Sequence, residues 1–216
     1  MSIPADLRPS VPVVLEGRRV RLEPLTVDHL AELRAASADG EVWRRWYTTV
    51  PTPEGMAAEI DRRLALQAAG TMAPWVLRGT ATGRVCGMTT FMNIVTEHHK
   101  LEIGSTWLAG SAQGSGINAE AKLLLLTRAF ETLACVKVEF RTHWHNHQSR
   151  EAIARLGAKQ DGVLRDDQVL PDGSLRDTVV FSVLAAEWPA VRAGLRSRLE
   201  RRERGEQVDG GEGTRR

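Results

Sequence analysis

The chain's hydrophobic patterns predict an α/β (α+β) fold, a mixed and mostly antiparallel central sheet with helices on both faces. Two observations carry that expectation. Three strand-like runs, at 73–78, 85–94 and 100–108, follow one another across short turns, and consecutive strands joined by short turns pair antiparallel. A long helical pattern and a further strand come next, an arrangement that sets two strands parallel and packs a helix on the sheet.

The elements follow in order. Residues 20–25 alternate as a first strand, and Thr26 is placed to cap a helix carrying Leu30, Leu33 and Ala36. A second helix is expected to open at Thr52-Pro53, because proline fits the first helical position. Met56, Ile60, Leu64 and Leu66 continue it to a stop at Gly70. The separators at 80–83 and 96–99 read as hairpin turns. Ile117 to Leu133 forms the long helix, with Leu123, Leu126, Phe130 and Leu133 on one face and Glu120, Arg128 and Glu131 elsewhere. A strand at 136–144 follows, then a helix at 148–156 that starts near Asn146 and stops at Gly157. Two strands flank Pro171-Asp172-Gly173, a turn tripeptide, and a last helix begins at Glu187-Trp188-Pro189. The predicted order is β-α-α-β-β-β-α-β-α-β-β-α. Residues 1–14 read as an N-terminal extension, 15–204 as one domain, and the polar, glycine-rich 205–216 as a disordered tail.

Composition narrows the function. The 216 residues are 42% hydrophobic and 26% charged, an ordinary globular balance that suits one generous domain. A formal net charge of +2 is too small to argue for a nucleic-acid partner. No run approaches the roughly 20 apolar residues of a membrane helix, and the residues after Met1 are not expected to act as a signal peptide. Cys86 and Cys135 each sit in a strand-like apolar run, so both are expected to be reduced core residues of a cytoplasmic protein.

The chemistry concentrates between Leu101 and Ala158. Gln113-Gly114-Ser115-Gly116-Ile117-Asn118 lies between a strand and the long helix. Glycines let backbone N–H groups turn toward a ligand, and a helix start supplies unpaired donors and a positive dipole end. Together they suit a pyrophosphate; a plain helix-capping loop has the same composition. The Gly-Lys-Ser/Thr of a P-loop is absent. Gly114-Ser115-Gly116-Ile117-Asn118-Ala119 also reads as the G-x-G-x-x-A of dinucleotide sites, with Glu139 near the expected acidic position. However, five residues separate it from its strand, and the hairpin strands before it differ from the usual parallel unit.

Gln113-x-x-Gly116-x-Asn118 resembles the acyl-CoA-binding motif of the GNAT acetyltransferases, Q/R-x-x-G-x-G/A, with Asn118 in place of the final small residue. The strand–motif–helix–strand–Asn-x-x-Ser–helix–Leu-Gly order matches too, as does Glu102, eleven positions before Gln113. The resemblance covers about 15–189 and is nearest to the ribosomal-protein N-terminal acetyltransferases. It implies a GNAT-like fold and transfer of the acetyl group of acetyl-CoA, without a metal, to a primary amine, either a protein N-terminus or a small molecule. A non-catalytic acyl-CoA-binding module and a dinucleotide enzyme are the alternatives. A homodimer is compatible with the resemblance; nucleic-acid and membrane partners are not expected.

The resemblance also implies residue roles. Backbone N–H groups of Gly114, Ser115, Gly116, Ile117 and Asn118, with Gln113, would hold the pyrophosphate. Thr106, Trp107 and Leu108 would bond the pantetheine arm, where this strand and 136–144 splay, and an N–H near Trp107 would polarise the thioester carbonyl. Glu102 would be the base, Asn146 a cofactor contact, and Ser149 the donor to the CoA thiolate. Trp43, Trp46 and Tyr47 would wall the acceptor site. Each also has a structural reading: Glu102 as a strand-surface carboxylate, Asn146 and Ser149 as helix-start residues, the aromatics as a core anchor. His143, His145 and His147 lack the Cys or carboxylate companions of a metal site.

Overall fold

The computed structural model describes residues 8–48, 50–170 and 172–205. The predicted tail from 206 onward, the first seven residues of the N-terminal extension and Pro171 of the turn tripeptide lie outside the described residues. The strands are β1 (Leu15–Glu16), β2 (Val20–Pro24), β3 (Ala73–Gly79), β4 (Val85–Val95), β5 (Lys100–Leu108), β6 (Lys137–His143), β7 (Lys159–Val169) and β8 (Leu175–Leu184). They form one eight-stranded sheet in the order β1-β2-β3-β4-β5-β6-β8-β7. Every pairing is antiparallel except β5 with β6. The helices are α1 (Leu30–Ala38), α2 (Met56–Ala68), α3 (Ile117–Thr127), α4 (His147–Ala154) and α5 (Trp188–Glu203).

The predicted element order holds, with differences in detail. The two-residue β1 adds an edge strand before β2. Thr26 opens a short 3-10 turn ahead of α1, and its N–H donates to His29 Nδ1 at 3.1 Å. The second helix starts at Met56 rather than Pro53, because 53–55 form a turn in which Thr52 Oγ1 accepts from Gly55 N–H at 3.0 Å. The long helix widens into a π turn over Arg128–Thr132.

The largest departure lies on α3 and the π turn that continues it, where Glu120, Lys122 and Arg128 are buried. Apolar periodicity cannot foresee this, because each polar group is satisfied by a partner distant in sequence. The Glu120 carboxylate accepts from the backbone N–H groups of Arg18, Arg19 and Val20 at 3.1, 2.6 and 2.9 Å. Arg128 Nη2 donates to Val11 O at 3.1 Å. Lys122 Nζ donates to Thr106 Oγ1 at 2.6 Å and Thr89 Oγ1 at 3.2 Å. On the other side, α2 sends Arg63 to Thr90 Oγ1 at 2.5 Å. Neighbouring strand residues face opposite ways, so α3 and α2 cover opposite faces. The core between them includes Trp75, Phe91, Leu101, Leu125 and Phe140. Cys86 and Cys135 are buried and unbridged, and burial raises both thiols to about 11, which keeps them protonated and unreactive.

Candidate active site

The site grows from a defect in β5. Met88 pairs with Trp107, but Thr90 pairs with Gly104, so β5 carries one residue more than β4 over this stretch. Ser105 takes the left-handed φ of +47°, unusual for a residue with a Cβ. A bulge of this kind bends its strand. The strand pairing changes at the same place: β5 and β6 pair only over Lys100–Glu102 with Lys137–Glu139. Beyond that point β6 keeps pairing with β8 to His143↔Thr178, while β5 diverges. The parallel strands therefore open into a cleft. Arg63 braces the bend from α2, with Nη2 3.4 Å from Ser105 O and Nε 2.7 Å from Glu59.

Glu102 sits at the apex of this opening. It is not the surface carboxylate that alternation also allowed, being only 4% exposed. Gly104 makes the space, since a Cβ there would lie 2.7 Å from Glu102 Oε1 and 2.7 Å from Met92 Sδ. Asn93 Nδ2 donates to Glu102 Oε2 at 2.7 Å, and Arg141 Nε stands 3.6 Å away. Burial raises the carboxyl pKa against the pull of Asn93 and Arg141. A carboxylate raised in this way is a stronger base than a free one.

At the far end of β5 the glycine loop turns into α3. Gly114 and Gly116 have φ of 74° and 91°, and Gly116 is the residue before the first helical turn. A Cβ at Gly116 would lie 3.4 Å from Arg19 Cδ and 3.6 Å from Arg202 Cδ, so two cationic side chains flank the bare backbone. Arg202 Nη1 donates to Gly114 O at 2.6 Å. Gln113 Nε2 donates to Leu108 O at 3.3 Å, and Ser115 Oγ ties Ala112 O to Ile117 N–H at 2.6 and 3.3 Å. Asn118 Oδ1 and Arg19 Nε are shut off from solvent without a hydrogen-bond partner among the described residues. Helix-start donors and two flanking arginines fit a pyrophosphate.

The remaining candidates fall around β6. Asn146 Oδ1 caps α4 by accepting from Ser149 N–H at 3.0 Å, and Ser149 is half-buried. Trp46 packs edge-on to His143 at 5.0 Å and touches Tyr47 and His145, each at 5.6 Å. Arg45 ties that segment to α4 through Gln148 Oε1 at 2.7 Å. Trp43 instead lies under the Arg44 guanidinium. A cleft of about 230 Å³ opens beside His143, His145, Arg165 and Asp177. A larger hollow, about 430 Å³, lies between the N-terminal segment and the end of α2, but no carboxylate or imidazole lines it. Among the described residues no three His, Cys, Asp or Glu side chains gather at metal-binding spacing, and no helix is long and apolar enough to cross a membrane. Sequence reading missed Asn93, Arg141, Arg176 and Thr178 at this site, and Arg19 and Arg202 at the loop. Only the strand assignment of Arg141 offered a signal, by its alternation with Glu139.

Comparison with known proteins agrees with this geometry. The model of the acetyltransferase (GNAT) domain matches residues 19–159. The chain belongs to the GNAT family. A protein of T. thermophilus shares 40% identity, with a TM-score of 0.75 over 87% of this chain and 97% of its own. A GCN5-related N-acetyltransferase from Brucella melitensis shares 30%, with a TM-score of 0.78 over 86% and 84%. Mycobacterium smegmatis RimJ, solved with CoA-disulfide, shares 22%, with a TM-score of 0.75 over 88% and 97%, a likeness of fold. No curated protein sequence matches the chain.

Proposed function

We propose that this GNAT protein is an N-acetyltransferase that carries the acetyl group of acetyl-CoA directly to a primary amine. The observation that carries the reading is a buried, pKa-raised Glu102 at the apex of the cleft between β5 and β6, at the other end of the strand from the glycine loop. Acetyl-CoA supplies the activated acyl group as a thioester. The N–H groups of the 114–118 loop, with Arg19 and Arg202, hold its phosphates. The β5 edge beyond the bulge offers backbone groups to the pantetheine. Ala109 N–H donates to Cys86 O at 2.8 Å; ladder alternation then turns Trp107 N–H toward β4 and leaves Leu108 N–H facing the opened side. Leu108 thereby becomes the better candidate to polarise the acyl carbonyl.

Glu102 accepts a proton from the acceptor ammonium, freeing its lone pair for the carbonyl carbon. Holding amine and thioester side by side adds the gain of proximity. Ser149, at the start of α4, is the candidate donor to the departing thiolate, and Trp46 and Tyr47 wall the acceptor. Protein N-termini are one acceptor class, in keeping with a fold neighbour described as the ribosomal-protein-S5-alanine acetyltransferase of Vibrio fischeri. The test is a panel of alkyl amines, α-amines and peptides with acetyl-CoA and thiol detection. Amine-dependent thiol release supports the reading. CoA binding with no release on any amine replaces it with a non-catalytic acyl-CoA-binding module.

A further inference from the structure

A second bulge answers the one in β5. Gly87↔Leu108 and Met88↔Trp107 stand in one register, and Val95↔Lys100 returns to it. Between them Thr90↔Gly104, Phe91↔Ile103 and Met92↔Glu102 are shifted by one residue. At one end of this stretch the extra residue lies in β5, where Ser105 has its φ of +47°. At the other end it lies in β4, between Met92 and Val95, where Asn93 also has a φ of +47°. A shift of one residue turns side chains to the other face. Thr106 accordingly faces α3, where Lys122 Nζ meets it at 2.6 Å. Thr90, opposite Gly104, faces α2 and Arg63. Glu102 lies two residues from Gly104 within the shifted stretch, so it shares the α2 face. In an unbroken strand it would point the same way as Thr106, toward α3.

Asn93 serves this arrangement twice. Asparagine enters the left-handed region more readily than most side chains, so it suits the extra position in β4. Its side chain then turns back onto the shifted stretch, where Nδ2 donates to Glu102 Oε2 at 2.7 Å. Arg141 Nε approaches the same oxygen, but at 3.6 Å, and its Nη2 is committed to Glu139 at 3.1 Å. The other charged group felt by Glu102 is Arg176 on β8; on α2, Arg63 is taken up by Glu59 at 2.7 Å. Glu102 Oε1 lies instead against the bare backbone of Gly104. The two oxygens are therefore unequal, with Oε2 held and Oε1 left for a proton.

We infer that Asn93 is a positioning residue for proton transfer: its amide fixes Glu102 by Oε2 and presents Oε1 to the acceptor ammonium. This rests on the amine-acetylation reading and adds a residue to it. Asn93 acts only through Glu102.

The test uses two substitutions, each checked by thermal unfolding. Asn93→Gly keeps the left-handed backbone and removes the amide. Asn93→Asp keeps the size and replaces the donor with an acceptor. NMR of carbon-13-labelled glutamate carboxyls, with the Glu102 signal assigned by its loss in Glu102→Gln, reads the group without any substrate. Glu102 should titrate at higher pH in Asn93→Gly than in wild type, because a bond to its charged form is gone, and higher still in Asn93→Asp, where a like charge is added. With acetyl-CoA and alanine amide at pH 7.5, Asn93→Gly should lower kcat about tenfold and leave both KM values within about twofold. The acid limb of its kcat profile should move to higher pH, following the carboxyl. In a Glu102→Gln background the same substitution should cost less than about twofold, since the group it positions is already gone. An unchanged Glu102 titration in folded Asn93→Gly, or an equal fall of kcat in both backgrounds, overturns the inference and leaves Glu102 as the base. Full activity of Glu102→Gln removes the base itself, and the role of Asn93 with it.

Discussion

Lys122 gives the sharpest quantitative prediction. It is 5% exposed, and burial lowers its pKa from 10.5 to about 7, with no carboxylate to offset the cost. In the unfolded chain the amine keeps its ordinary pKa. Below pH 7 both states are protonated, and folding bears the full penalty of about 5 kcal/mol, 3.5 pH units at about 1.36 kcal/mol each. Between pH 7 and 10.5 the unfolded state binds more protons than the native one, so stability rises with pH. Lys122→Met removes this dependence and loses two hydrogen bonds, worth about 2 kcal/mol together. It orphans neither hydroxyl, because Thr89 Oγ1 and Thr106 Oγ1 are 2.8 Å apart and pair with each other. The variant should be more stable than wild type by about 3 kcal/mol at pH 6.5 and less stable by about 2 above pH 10.5. Urea unfolding at pH 6.5, 7.5, 8.5 and 9.5 measures it. Between pH 7.5 and 9.5 the wild type should gain about 3 kcal/mol on the variant. Parallel stability curves would refute the reasoning, since every other ionisation is common to both proteins.

Three further outcomes are expected. Glu102→Gln should lower acetylation about 10²–10⁴-fold with little change in acetyl-CoA affinity. Wild-type activity should fall as pH drops through the raised Glu102 pKa, because the base works deprotonated, and a pH–rate profile of the variant should lack that limb. Gly116→Val places a side chain beside Arg19 and Arg202 at a φ of +91°; calorimetry on the folded variant should show weakened CoA binding, and unchanged affinity would detach the loop from the cofactor. Arg202→Ala should weaken CoA several-fold at low salt and less at high salt, as expected of an exposed phosphate contact.

Much of this molecule can be read from local pattern. The hairpins, the βαβ crossover and the glycine loop all announce themselves within a few residues, and so does Gly157, whose φ of 97° closes the turn that follows α4. What local pattern misses is polar burial between distant segments. Glu120 looks like a solvent-facing helix residue until the N–H groups of 18–20, a hundred positions away, are seen to close on it. Arg176 and Thr178 look like routine residues of a half-exposed strand; they join Glu102 only because β8 lies beside β6. The β5 bulge has the same origin. Glu102-Ile103-Gly104-Ser105 reads as plain alternation, and the extra residue shows only against the register of β4.

The clasp between Arg202 and the Gly114 carbonyl spans 88 positions, and Arg18 reaches Glu203 across 185 at 2.7 Å. On a ribosome, the glycine loop emerges long before the helix that steadies it. The sheet can assemble through β8 while that loop still lacks one of its two flanking cations. Competence to grip a phosphate therefore arrives last, with the final turn of α5, and a chain cut short just before that turn would keep Glu102 in its place while losing part of its hold on the acyl donor.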